Sequence, residues 1–312
     1  MNEDKLPAVK VLISDGLNYL KLRSDLVILL ALPLLVFTVL EYLNKNLPFA
    51  QQEPKFLILS GLVSLVALVF NFLIIGAALY SVVRSEEERV TLRSGLNWSR
   101  NNILGIIWVY GLSSLAILGG FLLLIIPGLI IALYVYFPQY VYVNEGLKGL
   151  AALRRSHDLV KGNWWNLLNK LVKIGFLVII ILIVLGIITG LIQKIFSALP
   201  TIDLFILLVA QVFSAAVTLF GFTVGNTLYK NLVAIEVERV EEIAPVANWK
   251  YLTLIVLGLL SLVLLVAAVG FVLKDGLPPQ NNEDRVKSGI EAKQKMQELR
   301  LDTGEGSAAV NS

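Results

Sequence analysis

Residues 101–144, NNILGIIWVYGLSSLAILGGFLLLIIPGLIIALYVYFPQYVYVN, run for forty-four positions without an Asp, Glu, Lys or Arg. A helix rising about 1.5 Å per residue needs about twenty apolar residues to cross a hydrocarbon layer of roughly 30 Å, so this stretch suits two crossings joined by a tight turn. The turn is expected at Pro127-Gly128, because proline disfavours helix at Ile126 and glycine admits a positive φ. A re-entrant loop over residues 119–143 is the alternative. The second crossing carries Tyr134, Tyr136, Phe137, Tyr140 and Tyr142 around Pro138. That pattern reads as aromatic packing with an interfacial belt, or as a polar lining in which Pro138 frees a backbone carbonyl.

Immediately downstream, residues 145–165 read EGLKGLAALRRSHDLVKGNWW. Leu150, Leu153, His157, Val160 and Trp164 are spaced 3, 4, 3 and 4, one stripe of a helix over 146–163, and Lys148, Arg154, Arg155, Asp158 and Lys161 fall opposite. This helix is expected to lie in the cytoplasmic leaflet with Leu150, Leu153, Val160 and Trp164 buried. Lys148, Arg154, Arg155, Lys161, Trp164 and Trp165 would then face lipid headgroups. The alternative is that Arg154 or Arg155 pairs with Glu145 and docks the helix on the bundle. His157 reads as a structural histidine, with no second His or Cys to join it in a site.

Outward from this centre the composition gives the same solvent. Of 312 residues 57% are hydrophobic and 16% charged, with mean hydropathy +0.78, where soluble domains carry about 25% charge. Apolar runs at 26–40, 56–83, 174–193, 204–229 and 251–273 complete the expected fold, an all-α polytopic bundle of about seven spans with interfacial amphipathic helices. Residues 1–24 are expected as a cytoplasmic amphipathic helix lying in the membrane surface, with Leu6, Val9, Ile13, Leu17 and Leu20 on one face. Residues 25–235 form a six-span membrane domain, 236–274 a linker and seventh span, and 275–312 a polar, disordered tail. Two small-residue motifs, Gly186-x-x-x-Gly190 and Gly221-x-x-x-Gly225, are candidates for close packing of spans five and six.

The pieces Pro127-Gly128, Pro138, Glu145-Gly146, Ala152-Leu153, Ser156 and Gly162-Asn163-Trp164 together resemble the membrane domain of bacterial glycerophosphodiester phosphodiesterases and the related uncharacterised six-span prokaryotic membrane proteins. The broader resemblance covers about residues 6–235. It implies an architecture and carries over no hydrolase activity, since the chain shows no catalytic domain.

Lys and Arg number four, four, six and three on the side of the N-terminus, and two, none and one in the loops of the other side. Seventeen against three places the N-terminus in the cytoplasm of a plasma or inner membrane and the tail outside. No nucleophile elbow, paired intramembrane Asp, His pair or phosphate loop is present, so no enzyme, cofactor, metal site or nucleic-acid partner is expected. The expected role is a non-enzymatic membrane-organising module whose partners are membrane lipids, anionic ones among them, or a protein or second copy of the chain. The alternative is a translocator of a lipid or other amphiphile, without the intramembrane carboxylate that ion-coupled carriers use.

Overall fold

The computed structural model describes residues 6–46, 54–85, 90–196, 202–237 and 248–276. Among them the chain is all-α, without strands. Its ten helices are α1 (Val9–Leu22), α2 (Ser24–Asn46), α3 (Pro54–Val83), α4 (Leu92–Leu123), α5 (Ile125–Tyr134), α6 (Pro138–Glu145), α7 (Leu150–Val160), α8 (Trp164–Ile195), α9 (Ile202–Val237) and α10 (Asn248–Gly276). Seven stretches are long and apolar enough to cross a membrane, in α2, α3, α4, the α5–α6 pair, α8, α9 and α10. The expected multi-pass helical bundle is therefore the fold. Of the tail expected over 275–312, the first two residues belong to α10 and the rest lies outside the described residues. Compactness divides the chain inside α10, into Met1–Leu260 and Ser261–Ser312.

The uncharged run folds as two antiparallel crossings, but its turn is not at Pro127-Gly128. The break is at Leu124, whose backbone is extended at φ −174° and ψ 163° between α4 and α5. Pro127 sits in the first turn of α5, where a missing N–H leaves no hydrogen bond unmade. Gly128 is not among the positive-φ glycines; it serves close approach, since the Gly128 Cα would lie 3.0 Å from a Cβ built at Gly120. At the far end the Tyr142 hydroxyl donates to Asn102 Oδ1 at 3.0 Å. The return thus reaches the level where the uncharged run begins, which makes it a crossing and not a re-entrant loop.

α1 packs against α9, with Leu12 and Gly16 buried and the Phe220 ring where a Gly16 side chain would stand. Of the apolar face expected to lie in the membrane surface, Leu6 is buried, Val9, Ile13 and Leu20 are half-buried and Leu17 is exposed. Gly16 sets the close approach of α1 to α9. The Tyr19 hydroxyl then donates to the Ser81 carbonyl at 3.2 Å and ties α1 to the end of α3.

α3 and α4 form another close pair. Gly95 approaches the Ala77 carbonyl, Gly76 faces Ile106 and Ser99, and Trp98 stacks on Tyr80 at 4.8 Å. In α9 the polar residues hold neighbouring helices: Gln211 Nε2 donates to Thr38 Oγ1 at 2.9 Å and Asn226 Nδ2 to the Val82 carbonyl at 3.4 Å. The two glycine motifs are different. No atom stands within 4 Å of a Cβ built at Gly186, Gly190 or Gly221, and only Gly225 is in close contact, with the Tyr140 phenol. Within this chain the motifs do not pack α8 on α9, because the two helices splay apart over most of their length.

Candidate functional site

The fourth crossing is two helices and not one. α5 ends at Tyr134, α6 begins at Pro138, and the chain between leaves backbone groups without helical partners. A single side chain from α7 takes up two of them: Ser156, fully buried, donates to the Tyr134 carbonyl at 2.7 Å and accepts from the Phe137 N–H at 3.0 Å. Pro138 and Ser156, eighteen residues apart in the sequence pattern, are thus two halves of one joint. The carbonyl freed near Pro138 binds the protein's own hydroxyl, and the surrounding tyrosines pack: Tyr140 stacks on Tyr229 at 6.2 Å and Phe137 meets Tyr136 edge-on at 4.9 Å.

Three positive-φ glycines frame α7: Gly146 at 71°, Gly149 at 57° and Gly162 at 85°. Gly146 closes α6 with its N–H on the Tyr142 carbonyl, and Gly149 starts α7. A β-carbon is strained at such angles, so the helix expected over 146–163 is confined to Leu150–Val160. Its apolar face, Ala152, Leu153, Leu159 and Val160, is buried against α4, α5, α6 and α9. The expected insertion of this face into lipid is therefore corrected, since protein helices cover it. Trp164 lies beyond it, exposed at the start of α8 and edge-on to the exposed Trp165 at 5.1 Å.

The basic residues of α7 separate into different environments. Arg155 Nε donates to both oxygens of Glu145 at 3.1 and 3.0 Å, and its Nη1 to Glu236 Oε1 at 2.6 Å. Glu145 also accepts from the Tyr229 hydroxyl at 2.7 Å. Burial works against the Arg155 charge, but the carboxylates of Glu236 and Glu145 outweigh it and hold its pKa above the ordinary arginine value. Arg155 is thus a dock joining α6, α7 and α9, and not a lipid-facing cation. Lys148 and Lys161 are exposed on either side of α7, and Asn163 caps the start of α8 through its backbone. His157 has its ring 4.3 Å from Tyr134 and its Nδ1 3.4 Å from Asp158 Oδ1, a packed histidine as expected.

Arg154 is held differently. Its Nε is buried without a hydrogen-bond partner, and so is the hydroxyl of Tyr251. Sequence reading missed Tyr251, as it missed Tyr229 and Glu236. The acidic residue had a signal, lying at the end of a span opposite a basic helix, whereas the two tyrosines had none.

A second feature lies between α8 and α9, where the splay leaves a cavity of about 520 Å³, within the size range of ligand sites. Leu185, Gly186, Phe205, Val209 and Phe213 line it, with Thr189 and Thr218 among them. Those two hydroxyls donate to the Gly186 and Ser214 carbonyls of their own helices, so they leave the wall apolar. Only 6% of the apolar window of α8 is buried.

A polytopic bundle whose fourth crossing is broken and bridged from a basic amphipathic helix is an integral membrane protein by class. Residues 54–232, more than half of the chain, match the family described as a domain of unknown function, DUF7847, and the protein belongs to that family. No curated protein and no solved structure matches the chain.

Proposed function

We propose that the protein is a non-enzymatic lipid-binding module of the plasma membrane, oriented with its N-terminus in the cytoplasm. The observation that carries this reading is the apolar cavity between α8 and α9. Its wall is mostly leucine, isoleucine, valine and phenylalanine, its two threonine hydroxyls are turned to their own backbone, and it lies between two membrane spans, so a lipid acyl chain is the occupant its chemistry suits. The resemblance to the glycerophosphodiester phosphodiesterase membrane domain supports a setting among phospholipids without supplying a hydrolase.

The test is native mass spectrometry of the purified full chain. Phospholipid should remain bound to the wild type. Gly186→Trp, placed where a side chain meets open space, should lower the bound fraction several-fold without lowering thermal stability. Equal retention by the two proteins would overturn the reading. A second reading, translocation of an amphiphile, is favoured by the break in the fourth crossing, since broken spans occur in transport proteins. Flux of a fluorescent phospholipid in proteoliposomes, abolished by Gly186→Trp, would favour it over static binding.

A further inference from the structure

The adjacent arginines of α7 have unlike fates, and the difference points to a ligand. Arg155 is saturated by Glu145 and Glu236. Arg154 Nε, by contrast, is buried without a hydrogen-bond partner. Close by, Tyr251 is 4% exposed and its hydroxyl is buried without a partner. Tyr251 packs on α7, in one apolar cluster with Leu153 and with its ring edge-on to His157 at 6.2 Å, and the charges of Asp158 and Arg154 both act on its hydroxyl. Buried donors without acceptors are costly and rare. Two of them on neighbouring elements point to an acceptor that the described residues do not supply.

Asp158 does not fill this place: its Oδ1 lies beside His157 Nδ1 at 3.4 Å, and neither Arg154 Nε nor the Tyr251 hydroxyl bonds to it. We propose that Arg154 and Tyr251 bind a phosphate oxyanion, that of a phospholipid headgroup, so that the protein holds lipid by its head at α7 as well as by a tail between α8 and α9. A planar guanidinium matches a phosphate with two parallel donors, and the phenol adds a third. α7 lies in the segment between spans four and five, on the side with most Lys and Arg, the level at which headgroups stand. Asp158 keeps the local charge near zero. The site therefore reads the phosphodiester and not net negative charge, and a zwitterionic headgroup is accepted with an anionic one.

The inference rests on the lipid-binding reading, and one experiment separates the two. Purified full-length protein in detergent is titrated with phosphatidylglycerol, phosphatidylethanolamine and a diacylglycerol of the same tails. The wild type should retain both phospholipids in preference to the diacylglycerol. Arg154→Gln should weaken phospholipid binding about tenfold or more, as expected for loss of a charge-assisted contact, and Tyr251→Phe should weaken it several-fold. If Arg154→Gln does not fold, Arg154→Lys and Tyr251→Phe provide the same comparison. Arg155→Gln should lower the melting temperature while the folded fraction binds as the wild type does. Stabilisation by inorganic phosphate alone, lost in Arg154→Gln, would assign the same oxyanion chemistry to a free ion. Unchanged binding in both Arg154→Gln and Tyr251→Phe, with binding lowered by Gly186→Trp, would overturn the headgroup site and leave the tail site standing. A wild type that retains no phospholipid would overturn both.

Discussion

Ser156 is the residue on which the fourth crossing depends, because one hydroxyl serves as donor to Tyr134 and acceptor from Phe137 where helix cannot. Alanine would leave a buried N–H and a buried C=O without partners, each worth about 1–3 kcal/mol. Ser156→Ala should therefore destabilise the protein by about 2 kcal/mol or more, read as a lowered melting temperature in detergent. Asn144→Ala is the control, since its amide bonds only the Tyr140 carbonyl of its own helix and its loss should be nearly silent. Pro138 and Ser156 were both legible as a spaced pattern, yet their pairing was not. Periodicity reports the face a residue shares with near neighbours, and Ser156 acts on a chain segment about twenty residues earlier. Arg155 with Glu145 was legible as an alternative because both stand in one stretch. Glu236 and Tyr229, some eighty residues further on, were not.

Among elements, glycine spacing proved an incomplete guide. A small-x-x-x-small pattern shows that one helix can be approached closely, but not that another helix does so. The pairs at Gly186 and Gly190 face open space, whereas Gly76, without such a partner motif, lies against Ile106 and Ser99 of α4. A larger side chain there must displace one of them, and overpacking costs about 1–3 kcal/mol. Gly76→Leu should lower the melting temperature in detergent by several degrees, while Gly186→Leu should leave it unchanged. Equal effects would mean that α8 has a neighbour along that face in the folded protein. The seven crossings were legible throughout, since charge-free length is a property of sequence alone. The exact break at Leu124 was not, because proline is tolerated in the first turn of a helix and so marks its neighbourhood and not its boundary.

For the whole molecule, the orientation proposed for the chain rests on charge. Seventeen Lys and Arg stand on the N-terminal side of the crossings and three in the loops of the other side, and such a bias sets topology because basic loops are retained in the cytoplasm. α7 lies between the fourth and fifth crossings, so it shares the N-terminal side with the start of α4. Counting crossings, the ends of α2 and α10 are expected on the opposite side. The chain has no cysteine, which allows single cysteines to be read without background. Asn46→Cys and Gly276→Cys should react with an impermeant maleimide on intact cells, and Ser94→Cys, exposed near the start of α4, only after lysis. Labelling of Ser94→Cys from outside would reverse the orientation, place Arg154 and Tyr251 in the outer leaflet, and require the headgroup to come from that leaflet instead.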